Sequence, residues 1–140
     1  MSLKNNDSEP VYNMATVITY KPEQFLHETK TWNRQLEFFK QENAFLKNRL
    51  AVVVDHKTDK DFLALAEHFQ NRFIINDEFI DELRHDISLQ EGFFAKKKDN
   101  AIFDKEMTRK QDKFRNEMKY FENNFMSLKN EFNKYLASAL

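Results

Sequence analysis

One pair of residues in the sequence has the spacing of a helical metal site. Glu82 and His85 are three positions apart, so a helix would place both side chains on the same face. Di-metal centres in helical bundles need such a pair on each of two helices, together with inward-facing glutamates from the others. The chain supplies one pair, and its heptad positions point outward. We therefore expect two solvated side chains here, with no metal and no other cofactor.

A second group of residues has the charge needed to contact phosphates. Lys105, Arg109 and Lys113 are spaced by four, and the three lysines of residues 96–98 precede them. Acidic residues lie beside this stripe, no aromatic side chain interleaves with it to stack on a base, and the net charge of the chain is −1. The pattern favours a solvated helix face, so we do not expect nucleic acid as a partner.

Catalytic machinery and membrane insertion are not expected either. The single glycine, Gly92, cannot build the glycine-rich loop that cradles a phosphate, and there is no cysteine for thiolate chemistry. The longest apolar run, residues 50–54, is far too short to cross a membrane. The first twenty residues lack the apolar stretch of a signal peptide. These features predict a non-enzymatic, cytoplasmic protein.

The composition indicates which elements must position these side chains. With one glycine and two prolines in 140 residues, the chain cannot form many tight turns, so a few long helices are expected. Charged residues make up 32% of the chain, yet it also contains 15 phenylalanines, which would aggregate unless they were buried. Long amphipathic helices that share one core satisfy both conditions.

Large apolar residues recur at alternating steps of four and three in three consecutive segments, which is the heptad pattern of coiled coils. Polar segments near residues 57 and 98 separate these three stretches, and Thr58 or Asp59 is placed to cap the second helix. The predicted core positions with large side chains are Phe25, Trp32, Leu36, Phe39, Leu46, Leu50, Val53, Phe62, Phe69, Phe73, Ile80, Leu83, Ile87, Phe94, Met107, Phe114, Met118, Phe121, Phe125, Leu128, Phe132 and Tyr135.

This pattern predicts an all-α fold with three long antiparallel helices in an up-down-up, coiled-coil-like bundle. The helices are expected at about 22–54, 59–96 and 100–137. Residues 21–140 would form the bundle, and residues 1–20 a flexible or extended N-terminal arm. Short turns at the predicted places would set Trp32 opposite Leu83 and Phe39 opposite Asn76.

The first predicted helix resembles a leucine zipper, because Leu36, Asn43 and Leu50 follow one another at intervals of seven. The segment 21–30 that precedes it mixes acidic with basic residues, so it is no DNA-binding basic region. Three long antiparallel helices with a tryptophan in the first are also similar to spectrin-type repeats. That similarity concerns the fold alone and implies no activity.

Several predicted core positions are polar. Asn43 and Asn76 fall about one layer apart near the middle of the rod, where they are expected to bond to each other. The other three, Gln90, Asp104 and Gln111, cluster at the end where the first helix begins. Buried amides of this kind control register, and a wet bundle end would explain the rest. The alternative is a small polar pocket, which would make the protein a ligand- or metal-binding bundle.

A second row of apolar residues lies away from the core positions. In the first helix it consists of Phe38, Phe45 and Val52 at heptad position c, about 130° from the centre of the core face. The second helix adds Leu65, Phe79 and Phe93 at position g. Either the arm covers one of these rows or a second chain does. We favour a partner, which predicts protein–protein interaction by a homo-oligomer, with a dimer favoured, or with another helical protein.

Overall fold

The computed structural model describes residues 22–97 and 105–139. They form three long helices, α1 (Pro22–Val54), α2 (Lys60–Lys97) and α3 (Lys105–Ala139), and no strand occurs within those two ranges. The predicted all-α class is therefore confirmed, and the predicted bounds of the first two helices are correct to within one residue. The predicted N-terminal arm, the predicted start of the third helix at 100 and Asp104 lie outside the described residues.

Residues 55–59 connect α1 to α2 by a short, hydrogen-bonded link. At the end of α1 the backbone N–H of His56 donates to the carbonyl of Val53 at 3.1 Å, which tightens the last turn. Asp59 then caps α2, because its side-chain Oδ2 accepts from the backbone N–H of Phe62 at 3.1 Å. The backbone carbonyl of Asp59 accepts from the N–H of Leu63 at 3.0 Å. Of the two predicted caps, the aspartate is the one that acts.

The predicted apolar seam forms the core of the bundle. Nearly all of its large side chains are buried, and a half-buried Val53 packs against them. α1 packs closely against α2, whereas α3 meets both across large aromatic rings. Phe39 of α1 lies 5.4 Å from Phe121 and 5.2 Å from Phe125 between ring centroids, and Phe73 of α2 lies edge-on to Phe132 at 5.1 Å. Because rings fill these interfaces, the backbone of α3 lies farther from α1 and α2 than those two helices lie from each other.

Ion pairs between the helices show their directions. Glu28 and Glu42 of α1 contact Arg115 and Lys129 of α3, so the residue numbers rise together and these two helices are parallel. Between α1 and α2 the residue numbers of the bonded partners change in opposite senses, since Lys40 bonds Asp81 at 2.6 Å and Lys47 bonds Asp77. These two helices are therefore antiparallel. The chain therefore runs up, down and up, as predicted.

The axial alignment of α1 with α2 differs from the prediction. Trp32 was expected opposite Leu83, yet its neighbour Asn33 donates to Glu91 at 3.2 Å, which is more than one helical turn away. Side chains tilt towards the N-terminus of their own helix. In an antiparallel pair, a side chain of α1 therefore contacts a residue of α2 with a higher number than the one level with its own Cα atom.

Candidate functional site

A buried asparagine joins α1 to α2 in the middle of the bundle. Asn43 is fully buried, and its side-chain Nδ2 donates to the main-chain carbonyl of Phe73 at 2.8 Å and to Oδ1 of Asp77 at 2.9 Å. Asp77 also accepts from the ammonium group of Lys47. The predicted bond between Asn43 and Asn76 is wrong, because α2 presents Phe73 and Asp77 to this amide. Neither Oδ1 of Asn43 nor Nδ2 of Asn76 has a partner within the described residues.

These bonds change the titration of the aspartate. Burial by itself raises the pKa of Asp77, because it disfavours the charged carboxylate. The hydrogen bonds from Lys47 and Asn43 and the charges of Lys47 and Lys40 outweigh burial and hold the pKa of Asp77 below its ordinary value. The carboxylate therefore stays ionised in the folded protein at neutral pH and acts as an anchor between the two helices.

A second polar layer lies near the start of α1 and links all three helices. Gln111 of α3 is fully buried, and its Nε2 donates to Oε1 of Glu28 at 2.9 Å and to the carbonyl of Phe25 at 3.4 Å. Its Oε1 accepts from Nε2 of Gln90 on α2 at 3.5 Å. Arg115 closes the network from outside with two hydrogen bonds of 2.8 Å to Glu28. Bonding to Glu28 opposes burial and raises the pKa of Arg115 above its ordinary value.

The polar layer is covered towards the bundle end and borders a groove between α2 and α3. Phe25, Phe94 and Met107 form a separate apolar cluster beyond it, and the rings of Phe25 and Phe94 lie 5.4 Å apart. The structure therefore brings Gln90 and Gln111 together as predicted, beside an apolar cluster, and Gln90 with Met107 and Lys110 also lines a groove between α2 and α3. The amides bond to one another, so the layer acts as a link between helices more readily than as a ligand pocket.

The apolar row on α1 is exposed along its length. Phe38, Phe45 and Val52 are 56%, 58% and 60% exposed, and they follow one another every two turns. The row borders α3 rather than α2, since position g of α1, which lies next to c, carries Glu28 and Glu42 and faces α3. A helix face that only contacts solvent is normally polar, so three large apolar side chains in an unbroken row indicate a contact surface.

The predicted residues of α2 lie on a different surface. Position g of α2 faces α3, where Phe79 is half-buried and stacks on Phe121 at a centroid distance of 5.3 Å. Leu65 and Phe93, on the same flank, are 51% and 43% exposed. The six residues therefore form two surfaces, one on the outer face of α1 and one in the groove between α2 and α3. Only the first is an unbroken exposed row.

Other exposed apolar residues were not singled out from the sequence. They are Ile74, Ile75, Leu89, Tyr120 and Met126. Ile75 and Leu89 share the c position of α2, which the heptad phase could have revealed, but His68 and Glu82 occupy the same line and interrupt it. The c line of α2 is thus mixed in character, unlike its counterpart on α1.

The residues considered for metal and phosphate chemistry lie on outer faces. Glu82 and His85 are both exposed, and the two described ranges contain no group of three or more metal-binding side chains placed to hold an ion. Lys105, Arg109 and Lys113 are exposed as well. Arg109 and Lys113 share one shallow groove with Asp112 and Glu117. The mixed charges of this groove match those of a solvated helix face.

The chain has no significant match to any family model, curated protein or solved structure. None of the three helices combines the length and apolar character needed to cross a bilayer, within the part of the chain that the structure describes.

Proposed function

We propose that this protein is a non-enzymatic, cytoplasmic helical bundle that acts through protein–protein contact, by self-association through the outer face of α1. The observation that carries the proposal is the exposed row of Phe38, Phe45 and Val52. Burial of these side chains would favour association, because apolar area removed from water contributes about 25 cal/mol per Å² to the free energy of association.

The internal structure of the bundle supports a role as a rigid scaffold. Its polar core residues are used to join helices, as with Asn43 between α1 and α2 and Gln111 among all three. Such bonds fix the helices in one register, so the outer face of α1 is presented with a defined shape. A preorganised face loses little conformational entropy on binding, which favours association.

The test is a double substitution on the row, Phe38→Glu with Phe45→Glu. Light scattering after gel filtration should give an oligomeric mass, most simply a dimer, for the unchanged protein and a monomeric mass for the variant. Because both side chains are exposed, circular dichroism should show the same helical signal in both proteins.

The matched control is Ile75→Glu with Leu89→Glu, which adds the same charge at c positions of α2 with similar exposure. This variant should keep the mass of the unchanged protein. A strictly monomeric mass for the unchanged protein at high concentration would overturn the proposal. Dissociation by the α2 variant alone would move the contact to another face.

A further inference from the structure

The charges beside the α1 row are placed for a second copy of the same helix in the opposite direction. We propose that α1 of one chain packs antiparallel on α1 of a second chain, with a two-fold axis beside Phe45. This inference rests on the proposed self-association and adds the partner, the direction and the register. Isologous contacts of this kind are the commonest way in which identical chains form closed dimers.

The apolar row is symmetric about its centre. Phe45 lies midway, with Phe38 seven residues before it and Val52 seven residues after it. When a second α1 is laid antiparallel over Phe45, the two Phe45 side chains meet and each Phe38 comes level with Val52 of the second copy. The row covers about 21 Å of helix at 1.5 Å per residue, so three apolar layers form along the contact.

The flanking charges complement one another in this register. Arg34 and Asp55 lie on the f side of the row, while Glu42 and Arg49 lie on its g side. In an antiparallel pair each flank meets the same flank of the other helix. Arg34 therefore comes level, to within one residue, with Asp55 of the second copy, and Glu42 likewise comes level with Arg49. Each of these two charge pairs occurs twice because of the two-fold axis.

On the g side the opposite charges are already close to the apolar row. The guanidinium carbon of Arg49 lies 6.0 Å from the centroid of the Phe45 ring, and Arg49 is exposed. Glu42 accepts a hydrogen bond from Lys129 of α3 at 3.2 Å and remains half-buried at the edge of the row. In the antiparallel register Arg49 of the second copy approaches the carboxylate of Glu42 from the other side.

A parallel pairing of the same faces lacks this match. In a parallel pair the f side of one helix meets the g side of the other, so Arg34 lies beside Gln35, Gln41 beside Glu42 and Asn48 beside Arg49. No acidic residue then lies beside a lysine or an arginine across the contact. Opposite charges across a contact select a partner and its direction. The charge pattern therefore favours the antiparallel arrangement.

Charge exchange tests the direction. In a dimer of Arg34→Glu, the new glutamate of each copy comes level with Asp55 of the other copy, so two acidic pairs form. In a dimer of Asp55→Lys, the new lysine of each copy comes level with Arg34 of the other, so two basic pairs form. Each variant should self-associate about tenfold more weakly than the unchanged protein at low salt. An equimolar mixture of the two variants should restore association as a heterodimer, because both flanking pairs then join opposite charges. Native mass spectrometry with one variant mass-tagged detects the heterodimer directly.

Cross-linking tests the register independently, since the chain has no cysteine of its own. Gln41→Cys and Asn48→Cys place thiols at exposed f positions that come level in the antiparallel dimer. A short bis-maleimide should join the two variants when they are mixed and should join neither variant efficiently to itself. In a parallel dimer residues 41 and 48 are about 10 Å apart along the axis and lie on opposite flanks, so the mixed cross-link would be lost.

The outcomes separate this inference from the proposed function. If Phe38→Glu with Phe45→Glu dissociates a dimer while the mixed charge variants fail to recover association and the two cysteine variants fail to cross-link to each other, the antiparallel register is wrong and self-association through α1 stands. If the unchanged protein is monomeric, both proposals fail. Recovery of the mixture together with the mixed cross-link supports the antiparallel dimer.

Discussion

The side-chain amide of Asn43 on α1 donates to the main-chain carbonyl of Phe73 on α2 at 2.8 Å, in the buried middle of the bundle. The same amide bonds Asp77 one turn later on α2. A buried amide without hydrogen-bond partners destabilises the folded protein. The contact therefore selects the alignment of α1 on α2 that brings the Phe73 carbonyl and the Asp77 carboxylate to this amide.

Removal of this contact should destabilise the protein measurably. Asn43→Ala leaves a cavity and removes both hydrogen bonds, so we expect the free energy of unfolding in urea to fall by about 1–3 kcal/mol. A double-mutant cycle with Asp77→Ala should give a coupling energy above about 0.5 kcal/mol, since the two side chains bond directly. Strictly additive losses would show that the Asn43–Asp77 bond contributes little.

Acid should weaken the same junction. The pKa of Asp77 is lower in the folded protein than in the unfolded chain, so its stabilising effect is present above the ordinary aspartate pKa of about 3.9 and is lost as the pH falls through that value towards the lower folded pKa. Asp77→Asn should therefore lose less stability than the unchanged protein on acidification from neutral pH. Chemical denaturation at a series of pH values checks this. Parallel stability curves for the two proteins would contradict it.

The polar layer near the start of α1 should behave as a coupled unit. Gln111→Leu leaves the buried amide of Gln90 without its partner and removes a hydrogen bond to the carbonyl of Phe25, and we expect a loss of about 1–3 kcal/mol in unfolding free energy. Adding Gln90→Leu removes the stranded amide and should recover part of the loss. A double variant whose loss equals the sum of the single losses would refute the coupling, with thermal and urea unfolding as the measurements.

Gly92 offers a stabilising substitution. It lies exposed within α2, and a Cβ built at this position meets no other atom within 4 Å. Gly92→Ala should therefore raise the free energy of unfolding by about 0.5–1 kcal/mol, because alanine loses less backbone freedom in a helix. The nearby exposed Ala95 provides the reverse control, and Ala95→Gly should lower stability by a similar amount. Unchanged stability in Gly92→Ala would mean that this end of α2 frays in solution.

The two apolar rows predicted from the sequence show what a heptad pattern can predict and what it cannot. The pattern correctly placed Phe38, Phe45 and Val52 outside the core, since the angle of a residue around its own helix follows from its number alone. It could not separate them from Phe79, which α3 partly covers by stacking Phe121 on it. That outcome depends on the side of α1 on which the third helix packs, and a repeat within one helix contains no such information.

The sequence by itself determined the number of helices, the bounds of the first two and nearly every core residue, because helix formation and burial depend on spacings of three and four within each segment. Tertiary structure alone decided the axial offset between helices. It gave Asn43 the partners Phe73 and Asp77 and set Phe25, Phe94 and Met107 over the polar layer. A periodic pattern matches itself at several offsets, so the alignment that forms is the one in which rings interlock and buried amides find partners.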